Sequence, residues 1–347
     1  MVSSETLEPL VASSVEFTYC LDRPLRCIAT RYTNAQASDP DTSAGICLIF
    51  ACGISLAQET WIPVIKEFFR LSSVSSNLYV RSAWVIERPN HGDSALLNSR
   101  LLQEHYTVQF TSFQYATAIY TFLTSDFLSP SERDNLVAIG HSGGGGSLMR
   151  VLDFGLRDER PILFKSLVLL EVPLVGPMAY PLFLQLYDIV KKSNARRTTS
   201  WPSKSVAMNW FRSHLPWNTF DPEVLKIIEE TYFTPDLRRP GYITTKTTVE
   251  QETATFVDSA YQLGAAPFLQ TILDVMPTHV MMGSINDLLL PPLRDMVVEN
   301  IQRLRPRLAS VTFLDGVGHY IPTATPHYVA KEIFEKLQGQ QINVCKL

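Results

Sequence analysis

The apolar run Leu136-Val137-Ala138-Ile139 leads directly into Gly140-His141-Ser142-Gly143-Gly144, so a buried strand is expected to end in a G-x-S-x-G turn. Small residues on both flanks let the backbone bend sharply enough to hold a central serine in a strained conformation, its hydroxyl lifted clear of a sheet. A strand, such a turn and a following helix point to an α/β architecture. The pentapeptide by itself fits a glycine-rich loop equally well. Its weight comes from position, because the chain goes on to supply acids and then a histidine in the order Ser…Asp/Glu…His.

A chain of 347 residues suffices for one large α/β domain with an insertion, or for two domains of ordinary size. Hydrophobic residues make up 46% and charged residues 18%, a globular composition that argues against disorder. With Lys+Arg 30 against Asp+Glu 34 the formal charge is -4, so nothing global steers the protein toward nucleic acid or an anionic membrane. The cysteines, Cys20, Cys27, Cys47, Cys52 and Cys345, are odd in number and lack metal-ligand spacing, which reads as free thiols in a reducing compartment. The first ten residues carry Glu5 and Glu8, and no run of about 18 apolar residues occurs, so neither a cleaved signal nor a membrane span is expected. The tripeptide Cys345-Lys346-Leu347 is of the small-basic-leucine kind that a peroxisomal import receptor reads, so the expected location is the peroxisome, with the cytoplasm as the alternative.

Apolar runs rich in β-branched residues recur at Ile46-Ala51, Ala83-Glu87, Leu136-Ile139, Ser166-Leu170, His279-Gly283 and Ser310-Leu314, and read as parallel core strands. Helical patterns at Ala57-Leu71 and Val108-Ser125 lie between the early ones, which implies right-handed crossovers on both faces of one sheet. Val15-Tyr19 and Cys27-Tyr32 read as a leading antiparallel hairpin, while Asn34-Gly45 and Lys191-Ser200 read as exposed loops. From Pro173 to Met276 the alternation stops. A structureless loop of that size is improbable in a compact domain, so a mainly helical cap over 173–275 is expected, with 1–172 and 276–347 forming the core. Trp201, Trp210 and Trp217 are expected to hold this cap together rather than to touch substrate.

Serine needs a base within hydrogen-bond reach, oriented by a third group. His319 is the expected base, because Gly316-Val317-Gly318-His319 follows the last strand and precedes a final helix, Pro326-Leu337. His141, the main competitor, adjoins Ser142 and is expected to point aside. Two acids remain open: Glu171, at the end of Ser166-Leu170, and Asp287, after His279-Gly283, with Glu171 favoured because Asp287 falls one step beyond the usual Gly-x-x-Asp position, occupied here by Asn286. Backbone amides of Gly143 and Ile54 are the expected donors to a carbonyl oxyanion, with Gly53 letting substrate approach closely. Arg88-Pro89-Asn90-His91-Gly92-Asp93-Ser94 reads as loop architecture. Lys191, Lys192, Arg196 and Arg197 read as a solvated face that can alternatively meet the phosphates of coenzyme A. No dinucleotide, phosphate-loop, zinc or calcium motif is present, so no cofactor or metal is implied.

Phe50-Ala51-Cys52-Gly53, Arg88-Pro89-Asn90-His91-Gly92-Asp93-Ser94, the Ser142 turn and Gly316-Val317-Gly318-His319 together resemble the α/β-hydrolase family over nearly the whole chain outside the cap. Leu169-Leu170-Glu171-Val172-Pro173 and the terminal tripeptide are similar to the peroxisomal-lipase-like branch of fungal hydrolases, which includes toxin-biosynthesis and acyl-CoA-cleaving members. The resemblance implies a mostly parallel sheet with helices on both faces, an acid at the strand before the cap, and hydrolysis of an ester or acyl-CoA thioester of an apolar acid, with a role in fungal secondary metabolism. Two residues depart from the pattern: Cys52 replaces the usual histidine of the oxyanion turn, and Asn286 stands where the later acid is common. The expected partner is a small acyl substrate. The alternatives are a lyase or cyclase using the same triad for acid-base chemistry, and a ligand-binding protein with a vestigial site.

Overall fold

In the computed structural model residues 2–35, 45–159, 162, 164–257 and 259–340 are described. Strands β1 (Leu10–Cys20) and β2 (Pro24–Asn34) form an antiparallel hairpin in which Phe17 faces Cys27. They extend beyond the apolar runs that announce them, because the outer half of β1 is solvated and carries no hydrophobic alternation. β3 (Ile46–Ala51), β4 (Val80–Ile86), β5 (Leu136–His141) and β6 (Phe164–Leu170) follow, each almost wholly buried, as strands covered on both faces must be.

After β6 the chain leaves the sheet and builds the helices Tyr180–Asn194, Lys204–Ser213, Pro222–Thr231, Val249–Phe256 and Ser259–Ile272. It also builds three short strands, β7 (Ser200–Trp201), β8 (Phe233–Pro235) and β9 (Ile243–Thr245), paired antiparallel in the order β7-β9-β8. The segment is mainly helical, as expected, and the small sheet is an addition to it; strands of two or three residues are too short to display a period. Likewise the helix Tyr180–Asn194 takes in the first part of the expected Lys191-Ser200 loop. Residues 36–44 of the other expected loop, and the terminal tripeptide, lie outside the described residues. Among the described residues no helix is long and apolar enough to cross a membrane.

The chain returns as β10 (Thr278–Gly283) and β11 (Ser310–Leu314), completing an eight-stranded sheet in the order β1-β2-β4-β3-β5-β6-β10-β11. From β4 onward every neighbour is parallel. Alternate residues of β3 divide between two cores, as the two-residue pleat requires. Leu48 and Phe50 pack with Phe68 and Phe334 from helices on one face. Ile49 and Ala51 pack on the other with Ile119, Phe122 and Leu148, from Ser112–Thr124 and Gly143–Arg157.

The helix Gly143–Arg157 opens with four glycines, a poor choice on propensity alone. Close approach explains it at Gly144, where a methyl group would run into the carbonyl of Ala51 at the end of β3. Backbone cannot give way as a side chain can, so Gly144→Ala is expected to lower unfolding stability by about 2 kcal/mol or more, read from the urea midpoint. An unchanged midpoint would show that this seam has room for a methyl group.

Candidate active site

Ser142 sits between β5 and the helix Gly143–Arg157 with φ 51° and ψ -125°, a conformation of the left-handed half that costs a non-glycine residue about 1–3 kcal/mol. Its N–H donates to the Leu170 carbonyl at 2.8 Å, which extends the β5–β6 pairing up to the turn. The hydroxyl lies 3.0 Å from Nε2 of His319. On the other side of the ring, Nδ1 stands 3.2 Å from Oε2 of Glu171. A carboxylate only accepts, so Nδ1 carries the proton and the lone pair of Nε2 is left facing Ser142.

Glu171 is 3% exposed and has a positive φ of 51°. Its other oxygen, Oε1, accepts from the Gly283 N–H at 2.6 Å and from Arg294 Nη1 at 3.3 Å. Arg294 also donates to the Gly283 carbonyl. The structure thus brings Glu171 to the imidazole and gives Asp287, the rival acid, another position. Asp287 Oδ1 accepts the backbone N–H of His319 at 2.7 Å. Its late place in the loop carries it past the ring to the peptide.

His141 does point aside, and what it meets is the base loop. Its Nε2 lies 2.9 Å from the His319 carbonyl, which can only accept, so Nε2 is the protonated nitrogen. Among the described residues Nδ1 is buried without a partner, and Gly53 lies against it so closely that a side chain there would strike the ring. The space at Gly53 therefore serves His141, not substrate as expected from sequence. Burial, and then the neighbouring His319, hold the His141 pKa down at about 3.

Among the described residues neither the Ile54 nor the Gly143 N–H has an intramolecular acceptor. Gly143 is the first residue of its helix, where orphan N–H groups and the helix dipole favour negative charge. Ile54 precedes Ser55, another residue of positive φ, 70°. The Ser55 N–H donates to His91 Nε2 at 3.0 Å, which leaves His91 Nδ1–H to donate to Asn90 Oδ1 at 2.9 Å. The Ser55 hydroxyl donates to Glu252 Oε2 at 3.0 Å, and Glu252 pairs with both terminal nitrogens of Arg197 at 2.8 Å. The Cys52 peptide is fixed by its N–H to the Tyr115 hydroxyl and its carbonyl to Arg88, so this turn is held through backbone groups whatever its side chain. Arg197 corrects the solvated-face reading of the basic cluster. Glu252 and Arg294 left no local signal in sequence, since each matters only through a distant partner.

Ile54, Ser142, Phe183, Leu186, Phe256 and His319 line one pocket of about 450 Å³ counted to its mouth, together with Pro173, Tyr187, Leu288 and Leu289. Trp201, Trp210, Phe211 and Trp217 form an aromatic cluster with centroids 4.7–5.8 Å apart in the inserted segment, as the structural reading of the tryptophans requires. Trp210 and Trp217 also face an adjoining cleft. Among the described residues no group of His, Cys, Asp and Glu is arranged to hold a metal.

A mostly parallel sheet carrying a serine turn at one strand's carboxyl end, with a histidine and a glutamate beside it, defines the α/β-hydrolase architecture. The model of the alpha/beta hydrolase family matches residues 48–332, and the chain belongs to that family. Among solved structures, the peroxisomal α/β-hydrolase Lpx1 of Saccharomyces cerevisiae is similar at TM-score 0.70 and 17% identity, covering 97% of this chain and 92% of that one. The thioesterase domain from the curacin biosynthetic pathway is similar at 0.59 and 17%, covering 92% and 99%. An epoxide hydrolase of Vigna radiata is similar at 0.58 and 14%, covering 96% and 100%. No curated protein sequence matches the chain. One fold serves these differing reactions, so the reaction must be argued from the site.

The depressed pKa of His141 has a consequence for stability. Between its ordinary value of 6.5 and about 3 the unfolded chain binds a proton that the folded chain refuses, so the contribution is complete above pH 6.5 and is lost as pH falls. At pH 5 the loss from this residue amounts to about 2 kcal/mol. His141→Gln is expected to lose that much less than the parent between pH 7 and pH 5 in urea titrations. Equal losses would contradict a neutral buried imidazole.

Proposed function

We propose that the protein is a serine hydrolase that cleaves an ester or thioester of an apolar acid through an acyl-enzyme on Ser142. The observation that carries this reading is the single imidazole of His319 bonded at once to the Ser142 hydroxyl and the Glu171 carboxylate. Nε2 takes the hydroxyl proton as Oγ bonds to the acyl carbon, and the carbonyl electron pair moves onto oxygen. That oxyanion faces the N–H groups of Ile54 and Gly143, where one donor is worth about 10²–10³-fold in rate. Collapse expels the leaving group, which departs with the proton from Nε2. Water then repeats the cycle: it gives a proton to Nε2, attacks the acyl carbon, and the acid leaves as the proton returns to Ser142. Glu171 keeps Nδ1 protonated and stabilises the imidazolium formed on the way, and Arg294 holds Glu171.

The apolar walls support the choice of acid, since each methylene buried there contributes about 0.8 kcal/mol to binding. Phe183, Leu186, Tyr187 and Phe256 come from the inserted segment, which supports assigning 173–275 as a cap over the core of 1–172 and 276–347. For location the reading is the peroxisome, supported by Cys345-Lys346-Leu347 and by the likeness to a peroxisomal hydrolase. Removing the tripeptide from a fluorescent fusion is expected to disperse it into the cytosol.

Ser142→Ala is expected to lower turnover by about 10⁴-fold or more, and to abolish the fluorophosphonate adduct seen by mass spectrometry on the parent. Near-parental activity in that variant would exclude the acyl-enzyme. The acid is tested by a pair of variants. Glu171→Gln is expected to lose about 10³–10⁴-fold in kcat, because an amide no longer fixes the tautomer. Asp287→Asn retains an oxygen for the His319 N–H and is expected to lose less than about tenfold. The reverse order would assign the acid to Asp287.

A further inference from the structure

A second cleft, of about 1120 Å³ counted to its mouth, opens beside the serine pocket and shares Phe256 and Leu288 with it. The two spaces also meet along the chain. Ile54 and His319 line the first, while their successors Ser55 and Tyr320 line the second. Their walls differ in kind. The serine pocket is almost wholly aliphatic and aromatic, whereas the cleft presents Asn194, Arg196, Arg197 and His214 beside the indoles of Trp210 and Trp217. A hydrocarbon acyl group has no use for such a surface.

Charge narrows what does fit. Glu252 is the carboxylate in the cleft wall, and it is already neutralised by its bidentate pair with Arg197. Arg196 is exposed, and among the described residues no carboxylate lies within ion-pair distance of it. Lys191 and Lys192, also exposed, occupy the last turn of the helix whose end forms this wall. The local sign is therefore positive on a chain of formal charge -4.

We propose that this cleft is the leaving-group subsite and that it takes an anionic, phosphate- or carboxylate-bearing thiol or alcohol. The proposal rests on the acyl-enzyme reading: the bond cut at Ser142 has an apolar half in one pocket and a charged half in the other. The leaving group departs with the bonding pair of its C–S or C–O bond and takes the proton held on His319 Nε2. Its anion remains intact and serves only in binding, through Arg196 at the rim, with Arg197 held by Glu252.

The test compares thioesters of one acyl chain with coenzyme A and with uncharged pantetheine, and 4-nitrophenyl esters of that acid with and without a ring carboxylate. In at least one pair the charged member is expected to show a kcat/KM about tenfold or more above its neutral partner. That ratio is expected to fall toward one in Arg196→Glu and to shrink as salt is raised from 50 to 500 mM, roughly a threefold shortening of the screening length. Equal rates within both pairs, or a preference that survives Arg196→Glu unchanged, would overturn the subsite. So would a Ser142 that takes the phosphonate label while turning over only neutral esters. Absence of both the label and any turnover would instead strike the acyl-enzyme reading itself, which separates the two failures.

Discussion

The position of one imidazole organises this molecule. Four groups on three separate segments hold His319: Ser142 and Glu171 at the ring, Asp287 at the backbone N–H, and His141, next to Ser142, at the carbonyl. None of them adjoins His319 in the chain, so the arrangement exists only once the sheet has formed. The strand order makes it possible, because β5, β6, β10 and β11 are consecutive neighbours and each delivers one part at its carboxyl end. With strands about 4.8 Å apart, β11 starts some three spacings from β5, and the loop after it must lean back over its neighbours. Asp287 and His141 hold that loop in place, while Glu171, on the strand between, spans the remaining gap.

Such convergence places a carboxylate where water scarcely reaches. A buried acid beside a neutral imidazole would have no counter-charge, and desolvation would disfavour it by several kcal/mol. Arg294 supplies the charge, and the Gly283 amide supplies a dipole on the same oxygen. The other oxygen is thereby free to serve the imidazole alone. Positive φ at both Ser142 and Glu171 shows that backbone strain accompanies the aim of these side chains.

Features written in consecutive residues were legible beforehand: the serine turn behind an apolar run, the base loop behind the last strand, and the parallel core strands themselves. The choice between the two acids turns on a single displaced position, since Asp287 falls one step beyond the usual place while Glu171 directly follows its strand. Partners that depend on tertiary contact left no such trace. A lone arginine in the helix Pro291–Leu304 looks like any solvated residue until the fold sets Arg294 against Glu171. Arg196 and Arg197 are neighbours in sequence and alike in chemistry, yet only the second is drawn inward to Glu252. The short strands β7, β8 and β9 offered too few residues for a period to register.

Ser55 joins two parts of the protein that the main sheet leaves separate. Its N–H is tied to His91, in the loop after β4, and its hydroxyl to Glu252, in the helix Val249–Phe256 of the inserted segment. The peptide preceding it carries Ile54. Any displacement of that helix is therefore transmitted, through one serine side chain, to the bend that carries the Ile54 N–H.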